Sequence, residues 1–344
     1  MKITEQTLPN DWKEVTIENE QGISFSVLNY GGILTSLNAP DRNGNSENVV
    51  LTYENYDDYI GDPNYLGAII GRVAGRVHNS SFQLNGNEYI VHANEGKNSL
   101  HGGNEGLNSK IWEMTTYKNA DSAGVILTVE SPHLEGGYPG NVSIQVTYEL
   151  NHHNQFVISY HAKSDEDTVL TLTNHSYFNL SGNAKRTVLD HEVQIASDQY
   201  VELDTDLIPT GNIKSVEGTP FDLQSKTALR SRLFSDDPQI QLAGGGFDHT
   251  YLFKDGQQEK IVLQEEESGR VMTIETDQPG VVFYTGNGLS GEQLLTKGPA
   301  QKHDGLCLET QSSPASLHHP GFPSIELKAG ETYQTYTKFT FDRK

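Results

Sequence analysis

Val142–Leu150 reads VSIQVTYEL and Gln155–His161 reads QFVISYH, and the alternation of apolar and polar residues in these two runs decides the fold class. Successive side chains of an extended chain point to opposite faces, so a period of two marks a strand with one buried face. The rhythm returns at Ile23–Leu28 (ISFSVL), Val125–Glu130 (VILTVE), Val271–Glu275 (VMTIE) and Tyr333–Phe341 (YQTYTKFTF). Turn chemistry separates such runs: Asn-Gly at Asn43 and Asn85, Asp-Gly at Asp255, Pro-Gly at Pro139 and Pro279, dipeptides whose backbone preferences suit tight reversals. Helical signals are few. Ser225 is placed to cap a short helix in the following KTALRSRLF, and Tyr53–Ile60 has room for a single turn. No strand–helix–strand rhythm, low-complexity tract, linker or repeat of 20 to 50 residues interrupts the pattern. The expectation is an all-β, mainly antiparallel chain with few short helices, built as two large packed sheets in one domain spanning residues 1–344.

Composition narrows the partners. The 344 residues carry 46 Asp and Glu against 24 Lys and Arg, a formal charge of −22, which disfavours nucleic acid and anionic membrane surfaces, because phosphate binding depends on basic side chains displacing counterions. Size scaling puts the folded surface at roughly 14,000 Å² against roughly 55,000 Å² for the extended chain, enough burial for a large core. Cys307 is the only cysteine, so neither an internal disulfide framework nor a cysteine-based zinc site is available. The first residues, MKITEQTLPNDWKEVTIENEQ, have no apolar signal core and no transit-peptide character, and no apolar run is long enough to cross a membrane as a helix. A cytoplasmic protein is expected.

Six segments hold chemistry-bearing side chains. In Thr168–Leu180, TVLTLTNHSYFNL, an extended chain puts Thr171, Thr173, His175 and Tyr177 on one face; the bland alternative is a histidine on a solvated strand. In GLCLETQ, Cys307, Glu309 and Gln311 share a face, and Glu309 in so apolar a strand is costly to bury unless hydrogen-bonded or paired; a carboxylate that simply accepts from a nearby Arg or backbone N–H is the alternative. GAIIGRVAGRV, from Gly67, sets Arg72 and Arg76 among small residues, where one arginine can be a clamp on backbone carbonyls and the other a ligand donor. NSLHGG presents His101 at a glycine turn, GGGFDH presents Asp248, and DQPG holds Gln278 at a strand end. The 13 histidines include no HExxH pair, so no local metal motif exists and no metal is expected. Together these residues form the inventory of a sugar site: donors and acceptors for hydroxyls, aromatic faces, and an acid and base pair in Glu and His, without a nucleophile elbow. Glu309 and Asp248 also leave glycoside hydrolysis open, since that reaction uses two carboxylates.

In chain order, NYGG at Asn29, GRVAGR at Gly71, NSLHGG at Asn98, EGGYPG at Glu135, LTNHSYFNL at Leu172, LIPTG at Leu207, GFDH at Gly246, TDQPGVVFYTGN at Thr276 and CLETQ at Cys307 resemble the galactose mutarotase, or aldose 1-epimerase, family. The resemblance implies a β-supersandwich with an open groove for a monosaccharide, and interconversion of the α and β anomers of free aldoses such as galactose and glucose, without a cofactor. By position, Glu309 matches the base at the C1 hydroxyl and His175 the acid at the ring oxygen. His101, Arg76, Asp248 and Gln278 match sugar contacts, and Tyr177 lies within the strongest motif. Neighbouring carboxylates such as Asp248 are expected to keep His175 protonated. Two departures are visible: Gly75 stands where many relatives have Asn, and Thr171 where Asn or Ser is common, changes that bear on affinity rather than on the reaction. A hexose-phosphate epimerase and a non-catalytic sugar-binding protein of the same fold remain rivals.

Overall fold

The computed structural model describes residues 1–344. Val142–Asn151 and Gln155–Ser164 pair antiparallel as the third and fourth strands of a nine-stranded sheet. Its remaining strands, in spatial order from one edge, are Glu113–Lys118 and Ser122–Ser131, then, beyond this pair, Thr332–Arg343, Arg270–Thr276, Glu259–Gln264, Glu192–Ile195 and Thr227–Ala228. The alternation does what its period dictates: Val142, Ile144, Val146, Tyr148 and Leu150 are buried while Ser143 and Gln145 face solvent.

A six-stranded antiparallel sheet runs in the order Tyr177–Phe178, Leu306–Thr310, Gly280–Tyr284, Asp248–Leu252, Gln199–Leu203, Pro209–Ser215. A third sheet of five strands forms from the first fifty residues, Lys2–Thr7 through Ser46–Asn48, so the expected two large sheets are three. One buried apolar cluster contains Phe25 and Val27 of the five-stranded sheet, Val146 and Tyr148 of the nine-stranded sheet, and Phe283 and Leu308 of the six-stranded sheet. All three therefore share a core. The folded surface is 13530 Å², matching the scaling expected for a well-buried chain of this mass.

Helix is confined to Arg230–Leu233, Pro238–Leu242 and single 3₁₀ turns such as Tyr56–Tyr59. Ser225 does not cap the first of these; that helix begins after Leu229 with no side-chain cap. The second follows Asp237, whose carboxylate accepts the Gln239 N–H at 2.8 Å, an Asp-Pro start that the sequence reading passed over. No helix is long and apolar enough to cross a membrane.

Thr168–Leu180 is not one strand. Thr168–Val169 pairs with Glu326–Leu327, Thr173–Asn174 with Ile69–Ile70, and Tyr177–Phe178 with Leu306 and Cys307. Each change of partner breaks the ladder, and the breaks carry the segment from the chain's 67–77 loop to the edge of the six-stranded sheet. His175 sits at the last of these junctions.

Candidate active site

Strand register gathers most of the site. In an antiparallel sheet, directly opposed residues point to the same face. Glu309 lies opposite Val282, which lies opposite Thr250; Cys307 lies opposite Tyr177 on one side and Tyr284 on the other, and Tyr284 lies opposite Asp248. All seven share one face of the six-stranded sheet, and six of them, all but Cys307, line a cavity of about 480 Å³, within the range of small-molecule sites. The opposite face presents Leu306, Leu308, Val281, Phe283 and Tyr251 to the core. The sheet thus fixes the site from behind.

The 67–77 loop supplies the other wall. The His175 N–H donates to the Ala68 carbonyl at 2.9 Å, and the Gly67 N–H donates to the His175 carbonyl at 3.0 Å. His101 is tied to the same loop in both directions: its N–H donates to the Gly75 carbonyl at 3.0 Å, and the Gly75 N–H donates to its Nδ1 at 3.1 Å. An Nδ1 that accepts carries no proton, so neutral His101 bears its hydrogen on Nε2. Gly75 has φ +85°, and a Cβ there would stand 2.9 Å from Pro314 Cγ; glycine meets both demands.

The two arginines of GRVAGR divide as their alternatives allowed. Arg72 is buried and spends its donors on the Ser131 hydroxyl and on the carbonyls of Ser131, Pro132 and Pro139, at 2.6 to 2.8 Å. It is a structural clamp. Arg76 enters the cavity, where Nε and Nη2 donate to Glu95 at 2.7 and 2.9 Å and Nη1 reaches Asp248 at 3.5 Å.

His175 is 5% and Glu309 3% exposed, so a solvated strand face does not describe the histidine, and a satisfied carboxylate does not describe the glutamate. Its Oε1 lies 3.5 Å from His175 Nε2, and its Oε2 is buried without a hydrogen-bond partner. A buried polar atom without a partner costs about 1–3 kcal/mol, and of the nine such side-chain atoms in the chain only those of Glu309 and Gln311 belong to residues lining the cavity, where a bound ligand can supply the partner. Burial first, and the charge of Asp248 second, push the Glu309 carboxyl well above its ordinary range. Burial lowers His175 to about 4 and pushes His101 well below the usual imidazole value, with His175 and Arg76 adding to the latter effect. The expectation that Asp248 holds a proton on His175 therefore fails: Asp248 is engaged with Arg76, and the carboxylate beside His175 is Glu309. Burial is the main influence on both groups and disfavours the charged form of each.

Tyr177 lines the cavity with its ring 5.2 Å from that of His175 and its hydroxyl donating to the Asn64 carbonyl at 3.0 Å. Gln278 does not line the cavity; it is buried, with its amide donating to the Tyr333 hydroxyl at 3.3 Å. Gln311 lines the cavity instead, with an unpartnered Oε1. Its place two residues beyond Glu309 in the same strand run was the available signal. Tyr65 and Glu95 also line it and were missed; Tyr65 packs edge-on to His101 at 4.7 Å, and no motif pointed to either. Thr171 is buried, its hydroxyl donating to the Ser312 carbonyl at 3.1 Å.

His101, His175 and Glu309 bring one ligand atom each within 4.8 Å of one another, a donor set able to hold a metal ion. The same three groups, with Asp248 and Arg76 alongside, are also a proton donor, a proton acceptor and a set of hydroxyl partners in a buried, partly aromatic cleft.

The sequence profile of the aldose 1-epimerase family matches residues 13–340. Galactose mutarotase of Mus musculus is 40% identical over 322 residues, covering 93% of this chain and 91% of the relative. Aldose 1-epimerase of Escherichia coli K12 is 31% identical over 335 residues, covering 96% and 95%. Among solved structures, an aldose epimerase homologue from C. elegans superposes with a TM-score of 0.87 at 31% identity, covering 95% of this chain and 98% of the other. A galactose 1-epimerase from Lactobacillus acidophilus superposes with a TM-score of 0.88 at 28% identity, covering 99% and 98%.

Proposed function

Because the chain belongs to the aldose 1-epimerase family, we propose that its isomerase activity is carried by Glu309 and His175 acting on a free aldose such as galactose or glucose in the 480 Å³ cavity. The observation that carries this reading is the buried, unpartnered Oε2 of Glu309 beside His175. A C1 hydroxyl is the kind of donor that oxygen lacks.

Anomer exchange needs a proton removed from the C1 hydroxyl and a proton delivered to the ring oxygen, so that the C1–O5 bond breaks and an aldehyde forms. Rotation about C1–C2 and reclosure on the other face return both protons. The reaction is redox-neutral and asks only for proton transfers at two oxygens of one ring. Glu309 removes the first proton and His175 supplies the second. Sugar hydroxyls donating to Glu309 provide the hydrogen bonds that burial denies it, which favours its ionised form and moves a proton across the 3.5 Å gap to His175 Nε2. A positioned acid and base each contribute on the order of 10²- to 10⁴-fold. His101, donating from Nε2, with Arg76 and Asp248, holds hydroxyls, and Tyr177 offers its ring to the sugar's C–H surface. Gln311 takes the role that the resemblance gave to Gln278.

The core shared by all three sheets supports one functional domain over residues 1–344. A neutral sugar substrate and the strongly acidic charge suit a cytoplasmic enzyme with no nucleic-acid or membrane partner. Of the rivals, a sugar-phosphate epimerase wants several converging cations, whereas Arg76 is the only lysine or arginine lining the cavity. The test is polarimetry on variants with sugar binding measured in parallel. His175→Asn should lose about two decades of turnover while still binding galactose; unchanged kinetics would transfer the acid role to His101.

A further inference from the structure

Glu95 has no place in the motifs and none in the proton transfers, yet it stands on the cavity wall with its carboxylate against Arg76. The contact is two-pronged: Nε to Oε2 at 2.7 Å and Nη2 to Oε1 at 2.9 Å. Such a planar match fixes the guanidinium's orientation as well as its position. The Glu95 backbone is itself held by a tight turn, in which the Glu95 N–H donates to the Asn98 carbonyl at 3.1 Å and the Asn98 N–H donates to the Glu95 carbonyl at 3.0 Å. Asp248 meets the remaining Nη1 at 3.5 Å. The only cation of the cavity is thus flanked by two carboxylates, with the Glu309 carboxyl group lining the same cavity.

We propose that Glu95 is a specificity-determining residue, which takes up the charge and two donors of Arg76 so that the site accepts neutral aldoses and disfavours anionic sugars such as uronic acids. This rests on the cavity being the aldose site. An isolated arginine in a cleft is an anion trap, because its fork matches carboxylate and phosphate geometry. Arg76 between Glu95 and Asp248 is not isolated. It keeps hydrogens for sugar hydroxyls, but the two carboxylates repel a third that enters with the substrate. Removing one unit charge several ångströms from a uronate in a partly screened site shifts its relative binding by about five- to tenfold.

The experiment measures kcat/KM for galactose and for galacturonate on the same preparations of the wild type, Glu95→Gln and Glu95→Asp. Because the ratio of the two sugars is taken on one sample, it does not depend on the fraction of variant that folds. The Gln variant should move the ratio at least threefold toward the uronate, with a lower KM for galacturonate and a higher KM for galactose. The Asp variant keeps the charge and should stay closer to the wild type than to the Gln variant. A shift below threefold, or an Asp variant that matches the Gln variant, overturns the proposal. Failure of the wild type to anomerise galactose at all would instead overturn the underlying function.

Discussion

Replacing Glu309 by glutamine should make the protein more stable and nearly inactive at once, and the two signs together separate a catalytic carboxylate from a structural one. Glu309 has a buried Oε2 with no partner and a carboxyl raised by burial and by Asp248. A group whose folded pKa lies above its unfolded value loses its proton more easily when unfolded. Stability therefore declines as pH rises from the unfolded carboxyl range, and the loss is complete once the folded Glu309 also ionises. Glutamine keeps the shape and cannot ionise. The gain grows by about 1.4 kcal/mol for each pH unit above the unfolded carboxyl range until folded Glu309 ionises, so it should be largest in neutral to alkaline solution and fade toward pH 4. Urea denaturation followed through Trp12 and Trp112, both buried, gives the stability at each pH. Polarimetry of freshly dissolved α-galactose gives the rate, which should fall by two or more decades with galactose still bound. A variant that loses stability together with activity would make Glu309 a structural residue and refute the reasoning.

Two other outcomes follow from particular atoms. Gly75→Ala should cost about 1–2 kcal/mol, because φ of +85° is unfavourable for an L residue, and should raise KM as the N–H that orients His101 shifts; an unchanged urea midpoint and KM would contradict this. His249 is buried, accepts the Asp248 N–H at 3.1 Å and is lowered by burial to about 3. Below the ordinary imidazole value near 6.5 the unfolded chain protonates first, so this histidine removes about 2 kcal/mol of stability between pH 8 and pH 5. His249→Gln should lack that part of the acid-induced loss, and an identical pH slope in both proteins would count against it.

The strands were legible because their signal is local. Val142–Asn151 buries every second residue, as its alternation requires, whatever it packs against. Partners are not local, and that is where reading along the chain failed. Nothing within Thr168–Leu180 announces that Thr173 pairs with Ile70 and Tyr177 with Cys307, so one strand was expected where three short pieces occur. The same limit explains the site. Glu309, His175, His101, Arg76, Asp248 and Tyr177 were legible through their motifs, and the register brought them to one cavity. Gln278 and Gln311 have similar chemistry, and only the folded chain tells that the first is buried against Tyr333 while the second lines the cavity. Glu95 sits in a plain Asn-Glu-Gly stretch and acquires meaning only when a fold places it against Arg76. Asp248 does not face His175 as expected because that same arginine claims it, and burial, not charge, is the main influence on the imidazole.

The most direct test of the account follows the optical rotation of freshly dissolved α-galactose and α-glucose with and without the wild-type protein, in neutral buffer free of added metal and cofactor. The account predicts a faster approach to the same final rotation, proportional to protein concentration. An unchanged rate, or a shifted end point signalling a different product, would contradict it.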